Sequence, residues 1–510
     1  MSYKLLDCTL RDGGYYTNWD FDKSLVHSYI NFVNNSSIEY IELGYRNLPD
    51  DNYHGSYYYL PESVLKSIRN LLHPSKKIVL MIDAKAFLED ENGKISQALE
   101  NCNSYVYAVR IAANPKNIEK ILPLAEKIKN LGYVVAVNIM YLNQYSDIKN
   151  AVNYISKYGD SIDWVYLVDS FGSCYPDEIV KAFTFVKSVL NQKIGFHSHD
   201  NISLAFANSL SALECGCDIV DSTVLGMGRG AGNLKTELML NYENSKGKSD
   251  IDYISLGMII EEFDKLKNQY KWGLSLPYMV SGFQQLPQST VMDLVQKNRY
   301  SLASIIEKLD SRIIKKEETR LDLSNLSNLI TTTKNFIIVG GGPSVNQHSD
   351  ALYEFISKYD CAVIHSTPKN SYLNPENNEV YVCLPADESF KLKSTFKGQK
   401  YIINPEKSEY LVKNLSIKMN SIFQLTGDNE YKNHLDLDSP INMAILTILN
   451  ISPKTNKIYL AGFDGDHLNP DINHETQNAF EYFKDKIKFT SITKTKYTSV
   501  LKSSVYGFLL

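Results

Sequence analysis

At 510 residues the chain is longer than one hydrophobic core usually organises, so two domains are expected. Its 44% hydrophobic and 22% charged residues are typical of a globular protein in water, and no apolar run approaches the ~20 residues of a membrane span. A net charge of −5, with 53 basic and 58 acidic side chains and no basic block, argues against nucleic acid or an anionic membrane as the main partner. Met1-Ser2-Tyr3-Lys4 runs straight into a strand-like segment rather than a signal peptide. The 7 cysteines are an odd number without framework spacing, so reduced thiols and a cytoplasmic location are expected. Cys215-x-Cys217 follows a helical pattern and lacks a second pair, which disfavours a thiolate metal site.

In chain order, apolar β-branched runs recur at Tyr3–Leu10, Ile38–Tyr45, Lys77–Ala84, Tyr105–Ala113, Tyr133–Tyr141, Asp163–Ser170, Lys193–Asp200 and Asp218–Gly226. Helical patterns such as Asn117–Leu131, Pro176–Leu190 and Leu204–Glu214 lie between them. About eight βα units in roughly 230 residues have the count and size of a (β/α)8 TIM barrel, and near-continuous apolar strands favour closure over an open sheet. Polar residues then cluster at the C-terminal strand ends, where such barrels place their chemistry. His197 and His199, two apart on a strand, face the same side. With the carboxylate of Asp12 they form a facial triad for a divalent metal, and Arg11 is a fixed cation able to hold a developing enolate oxygen. Asp169 and Ser170 end strand six, and Gly230 lies in the glycine-rich loop after strand eight; all three are expected to contact substrate.

Leu10-Arg11-Asp12-Gly13, Ile41-Glu42, His197-x-His199-Asp200 and Gly230-Ala231-Gly232-Asn233 resemble the metal-dependent lyase and aldolase barrels typified by 3-hydroxy-3-methylglutaryl-CoA lyase, 4-hydroxy-2-oxovalerate aldolase and isopropylmalate synthase. The resemblance runs to about residue 300. It implies Asp12, His197 and His199 as ligands of Mn2+, or of Mg2+, Co2+ or Zn2+, with Asn233 a further or neighbouring ligand and Glu42 a polar member of the site. Gly14-Tyr15 after the Arg-Asp-Gly motif is closer to the hydroxy-oxovalerate aldolase branch than to the acetyl-CoA-condensing synthases. Where those aldolases carry a histidine thought to act as base, this chain has Tyr15 or Tyr16; Glu42 or a metal-bound water are the other candidates. The expected reaction is aldol cleavage or addition through the enolate of a 2-oxo acid such as pyruvate, with an aldehyde as partner. The alternatives are an acyl-CoA lyase or Claisen-type synthase using acetyl-CoA, or a barrel that only scaffolds a C-terminal glycosyltransferase-like domain. No cysteine lies between Gly226 and Asn233, where the lyases carry one. A Schiff-base aldolase would want an inward lysine, and strand six has none.

Residues 1–245 are thus assigned to the barrel and 246–310 to a helical extension. Within the extension Met258–Lys267 and Ser301–Leu309 read as helices, and the apolar Trp272–Ser281 is the candidate homodimer face. Residues 311–334, rich in charge at Arg312, Lys315, Lys316, Glu317, Glu318 and Arg320, read as a linker. From 335 to 510 a Rossmann-like α/β domain is expected. Its strands are Phe336–Gly340, Cys361–His365, Glu379–Leu384, Tyr401–Asn404, Ser421–Leu425 and Lys457–Gly462, with a helix Pro440–Leu449 capped by Ser439. Ile338–Ser344 and Ile458–Asp464 are similar to motifs of bacterial sialyltransferase-like, nucleotide-sugar-binding domains. That likeness implies Gly341, Gly342, Pro343 and Ser344 facing a nucleotide phosphate or ribose, with Asp464 and His467 near the same rim. A nucleotide or nucleotide-sugar partner, and a sugar aldehyde acceptor in surface-polysaccharide synthesis, are the corresponding expectations.

Overall fold

The computed structural model describes residues 3–88, 93–297, 299–310, 323–329, 331, 333–386, 391–392, 394–404, 419–425, 435–465 and 470–510. The chain divides into two compact units, Met1–Met292 and Asp293–Leu510.

In the first unit eight parallel strands close into a barrel: β1 Lys4–Asp7, β2 Tyr40–Tyr45, β3 Lys77–Asp83, β4 Val106–Ala113, β5 Val134–Ile139, β6 Trp164–Asp169, β7 Lys193–Ser198 and β8 Ile219–Ser222. Leu5 pairs with Val220 and Leu6 with Asp221, so the first strand zips onto the last. Every residue of β2 and β6 is buried, as expected when one strand face packs on helices and the other fills the barrel. Strand alternation sets the layers. Leu6, Tyr40, Val79, Ala108, Ala136, Trp164 and Ile219 form one interior apolar cluster. Two residues further along their strands come Glu42, Arg110, Asn138 and Asp221, all buried. Period-two geometry therefore stacks a charged layer directly on the apolar plug.

The first strand ends earlier than expected. Thr9–Thr17 is an α-helix, so the Leu10–Gly14 motif lies on a helical turn rather than on a strand. Its two glycines survive in the helix because each is a packing site: a Cβ on Gly13 would stand 2.6 Å from Met227 Sδ, and one on Gly14 would stand 2.0 Å from the Trp19 ring. β8 likewise stops at Ser222 and gives way to a single 3-10 turn, Val224–Gly226. Gly195 in β7 has the same character, since it registers with Tyr166 and a Cβ there would lie 2.3 Å from the tyrosine ring.

The helix Leu276–Phe283 and Trp272 cover the loop after β8. The Trp272 indole donates to the Leu225 carbonyl at 3.1 Å, and Gly273 N–H donates to the Gly230 carbonyl at 3.0 Å.

The second unit holds a nine-stranded, all-parallel sheet. Its strands are β9 Ser324–Asn325, β10 Asn335–Val339, β11 Cys361–His365, β12 Val380–Leu384, β13 Lys400–Ile403, β14 Ile422–Gln424, β15 Lys457–Ala461, β16 Lys488–Ser491 and β17 Leu501–Lys502, in the order β17-β16-β15-β10-β11-β12-β13-β14-β9. Phe336 and Ile338 enter a core with the helix Pro440–Ile451, while Ile337 and Val339 enter another with the helix Ser349–Lys358, so both faces are covered. The three short strands β9, β16 and β17 were not anticipated. Ser439 precedes the helix as expected, but its hydroxyl makes no capping bond and, among the described residues, is buried without a partner. The linker residues Arg312, Lys315, Lys316, Glu317, Glu318 and Arg320 lie outside the described residues, as does His467. Among the described residues no helix is long and apolar enough to cross a membrane.

Gly195→Ala is expected to destabilise the first unit by about 1–3 kcal/mol, because the added methyl must displace the Tyr166 ring inside a filled barrel. A lowered denaturation midpoint with an unchanged slope checks this.

Candidate functional site

The charged layer is a closed ring. Arg11 Nε donates to Glu42 Oε2 at 2.7 Å and its Nη1 pairs with Asp12 Oδ1. The same Glu42 oxygen faces Arg110 Nη1 at 3.3 Å, and Arg110 Nη2 pairs with Asp221 Oδ2. Asp221 Oδ2 lies 2.9 Å from His197 Nδ1, and His197 Nε2 lies 3.5 Å from Asp12 Oδ2. Arg110 is further held by Asn138 Oδ1 at 3.1 Å and by the face of Tyr166, 4.1 Å from its guanidinium carbon. All six ring members are buried. Burial opposes the charge of Arg11, yet Asp12 and Glu42 outweigh it and hold its pKa well above the usual value. Burial likewise works against ionised Asp12, but Arg11, His197 and His199 bring its carboxyl down to about 2.

His199 sits beyond the end of β7, its ring centroid 5.0 Å from that of His197. Its Nδ1 is 2.7 Å from the Asp169 carbonyl, which accepts only, so this nitrogen carries the proton and Nε2 a lone pair. The Asp221 carboxylate imposes the same tautomer on His197. Burial and the neighbouring His197 push His199 down to about 3, so at neutral pH it is an uncharged imidazole.

The loop after β8 is zipped onto this strand end. His199 bridges Asn233, Asp200 N–H donates to the Gly232 carbonyl at 2.9 Å, and Leu234 N–H donates to the Ser198 carbonyl at 3.2 Å. Asn233 Nδ2 thereby reaches Asp12 Oδ2 at 2.6 Å, while its Oδ1 is buried without a partner among the described residues.

The donor set fits a divalent cation. The lone pairs of His197 Nε2 and Asp12 Oδ2 confront each other at 3.5 Å, an arrangement that a shared cation relieves, and Asn233 Oδ1 is an unspent oxygen beside them. Cys8, Asp12 and His197 each offer a ligand atom within 4.8 Å of the others. Cys8 was not singled out from sequence. It lies four residues before Asp12, a spacing that shares a helix face. The expected strand over Tyr3–Leu10 hid that relation. Burial, then Asp12, hold its thiol well above the ordinary pKa. Arg110 and Asp221 were missed too, although a charge within an apolar strand is a signal for a buried pair.

The remaining expected residues separate. Tyr15 OH and Tyr45 OH are 2.8 Å apart, with Arg229 over the Tyr15 ring at 4.2 Å. Tyr16 turns toward Tyr270 and Trp272, and its buried hydroxyl faces the Gly230 backbone. The Asp169 carboxylate accepts from the N–H groups of Ser173 and Cys174, both at 3.1 Å. Ser170 Oγ accepts from Tyr141 N–H at 2.9 Å. Gly230, at φ +66°, leaves room for Gln288, whose Oε1 a Cβ would meet at 2.1 Å. Asp169 and Ser170 thus spend these contacts anchoring loops.

In the second unit the loops after β10 and β15 meet where the strand order reverses, the usual crevice of doubly wound sheets. Gly342 N–H donates to the Gly462 carbonyl at 2.9 Å, and Asp464 accepts from Ser344 N–H at 2.8 Å and from the Ser344 hydroxyl. Gly341, Gly342, Pro343, Ser344 and Asp464 are therefore together, with the Gly342 and Ser344 N–H groups engaged by the protein itself.

Burial raises Asp169 to about 6, so its fold-stabilising contribution is complete below the unfolded value near 3.8 and is lost as pH rises through about 6. Asp169→Asn, which keeps one of the two acceptor oxygens used by Ser173 and Cys174, is expected to be less stable than the wild type at pH 4 and to narrow that deficit as the pH rises to 7. Denaturation midpoints measured across that range check the sign.

The HMGL-like family model matches residues 2–261. Over 239 residues the chain is 27% identical to 4-hydroxy-2-oxovalerate aldolase of Geobacillus genomosp. 3, covering 46% of this chain and 69% of that protein. It is 24% identical over 238 residues to oxaloacetate decarboxylase of Mycobacterium tuberculosis (strain ATCC 25618 / H37Rv), covering 46% and 68%. An N-terminal domain from Bacteroides vulgatus, described as that of a candidate aldolase, superposes with a TM-score of 0.54 at 41% identity, covering 60% of this chain and 99% of that one. With its family match spanning the closed barrel and the buried site at its mouth, the chain belongs to the HMGL-like family of lyases and aldolases.

Proposed function

We propose that the first unit is a divalent-metal-dependent aldolase acting through the enolate of a 2-oxo acid such as pyruvate. The observation that carries the reading is the meeting of Asp12 with His197 and Arg11, an imidazole presenting its lone pair and a guanidinium held beside the same carboxylate, with the His199 ring 5.0 Å from that of His197. Asp12, His197 and His199 would hold Mn2+, or Mg2+, Co2+ or Zn2+, with Asn233 Oδ1 and Cys8 adjacent. A bound divalent ion supplies Lewis-acid polarisation of a chelating keto acid.

The chain's own residues supply the rest. Arg11, fixed by Glu42 and Asp12, offers positive charge to the oxygen on which charge develops, a stabilisation worth several kcal/mol, on the order of 3, in water-excluded sites. Of the candidate proton carriers, Glu42 is committed to two arginines and Tyr16 points into an aromatic pocket. Tyr15 keeps its hydroxyl on Tyr45, so a proton can be held and passed at Tyr15 Oη. The aldolase relatives support cleavage of a 4-hydroxy-2-oxo acid, and the decarboxylase relative supports 2-oxo-acid chemistry at large. An acetyl-CoA-dependent lyase or synthase finds no such specific support in the site.

Methyl-proton exchange of pyruvate in deuterated water tests the reading without the aldehyde. Exchange is expected with Mn2+, is stopped by chelator, and falls at least about a hundredfold in His197→Ala and in His199→Ala. A full rate in either variant removes the ligand assignment.

For the second unit, the crevice between the Gly341–Ser344 loop and Asp464 supports a nucleotide or nucleotide-sugar ligand by its place in the sheet, whereas the carboxylate at Ser344 opposes a phosphate there. Stabilisation of the full chain against heat by UDP- or CMP-linked sugars decides the matter. The expected result is a raised midpoint for the second unit's transition, and no shift with any of them retires the ligand class. The homodimer expectation for Trp272–Ser281 rests on Leu274 and Leu276, which remain exposed, whereas Trp272 and Tyr278 are buried within the unit.

A further inference from the structure

Three arginines approach the barrel mouth, and their surroundings differ. Arg11 is shared between Asp12 and Glu42, and Arg110 between Glu42 and Asp221. Arg229 is different: among the described residues its guanidinium has no ion pair and no hydrogen bond, and its close contact is the face of Tyr15 at 4.2 Å. It is nonetheless largely enclosed, and near enough for its charge to bear on Asp12, His199 and Tyr45. An enclosed cation without a counter-ion is costly, and an anion arriving from outside would offset that cost.

The placement of Arg229 is not loose. On one side Met227 packs against Gly13; on the other, a Cβ on Gly228 would stand 2.6 Å from Asn233 Nδ2, so the loop is pressed against the asparagine that contacts Asp12. Both ends of the short Met227–Asn233 segment are thus tied to the helix bearing Arg11 and Asp12. Tyr15, under Arg229, lies three residues beyond Asp12, about 4.5 Å further along that helix. Arg229 therefore stands one helical turn away from the keto-acid end of the site, on the side of the Tyr15–Tyr45 hydroxyl pair.

Resting on the aldolase reading above, we propose that Arg229 binds an anionic group, a carboxylate or phosphate, carried by the aldehyde half of the substrate. The substrate class is then a 4-hydroxy-2-oxo acid with a second negative charge distal to the bond that breaks. The first carboxylate belongs to the metal end and the second to Arg229, with Tyr15 between them beside the hydroxyl that gives up or takes the proton.

The test condenses pyruvate with matched aldehydes on the metal-loaded full chain: succinic semialdehyde against butanal, and glyceraldehyde 3-phosphate against glyceraldehyde. Wild type is expected to favour at least one charged member over its neutral partner by about tenfold or more in kcat/KM, mostly through KM. Arg229→Gln should erase that preference, Arg229→Lys should restore part of it, and the pyruvate KM in methyl-proton exchange should stay within about twofold in both. Exchange without any charge preference in wild type overturns the role of Arg229 and leaves the aldolase reading standing. A rise in the pyruvate KM of Arg229→Gln during exchange also overturns it, by placing the cation at the keto-acid end. No exchange in wild type sinks both.

Discussion

The barrel's chemistry depends on Arg110, a guanidinium held between Glu42 and Asp221 with no exposure to solvent. Removing such a charge from water carries a penalty of several kcal/mol, on the order of 5, which only close opposite charges and hydrogen bonds return. Here the return is structural. Glu42 comes from β2, Arg110 from β4, Asn138 from β5 and Asp221 from β8, so the ion pairs form only if those strands are in register around a closed barrel. One stagger of one strand would turn its charge outward and leave the others unpaired.

The same ring aims the site. Glu42 spends its second contact on Arg11, and Asp221 spends its second on His197 Nδ1. Arg11 is thereby held beside Asp12, and His197 is held with its lone pair toward the same carboxylate. Three carboxylates face two guanidiniums in the ring, a deficit of one positive charge between them. A dication among Asp12, His197 and His199 would turn that deficit into an excess, which suits a site whose substrate arrives as an anion.

Much of the barrel was legible because its strands are apolar on both faces and its helices have the 3.6-residue period. The segments Lys193–Asp200 and Asp163–Ser170 needed little correction. His197 and His199 could be placed together from strand alternation alone. The opening motif was harder. Gly13 and Gly14 lie at the end of the expected first strand, yet they sit inside a helix because Met227 and Trp19, distant and near in the chain respectively, occupy the space their side chains would need. Tertiary packing of that kind has no local signature. It also concealed Cys8, whose nearness to Asp12 follows from a helical spacing over residues expected to be extended. Arg110, Asp221 and Arg229 escaped for another reason, since whether a charge is paired, and with what, depends on which strands are neighbours around a closed barrel.

The molecule contains two glycine-rich loops at strand ends, and the satisfaction of their polar groups tells them apart. In the second unit, Gly342 and Ser344 give their N–H groups to Gly462 and Asp464, so this loop has closed on itself. In the first unit the loop Gly226–Asn233 is pinned by backbone bonds at Gly232, Asn233 and Leu234 but, among the described residues, leaves Asn233 Oδ1 and the Arg229 guanidinium without a hydrogen-bond or ion-pair partner. Folding alone gives no reason to bury a carbonyl oxygen and a cation unpaired, because each costs free energy that a different side chain would avoid. Their position one on each side of the Asp12 to Tyr15 turn makes the glycine loop of the barrel, rather than the more familiar-looking glycine run of the parallel sheet, the place where the chain holds binding capacity in reserve.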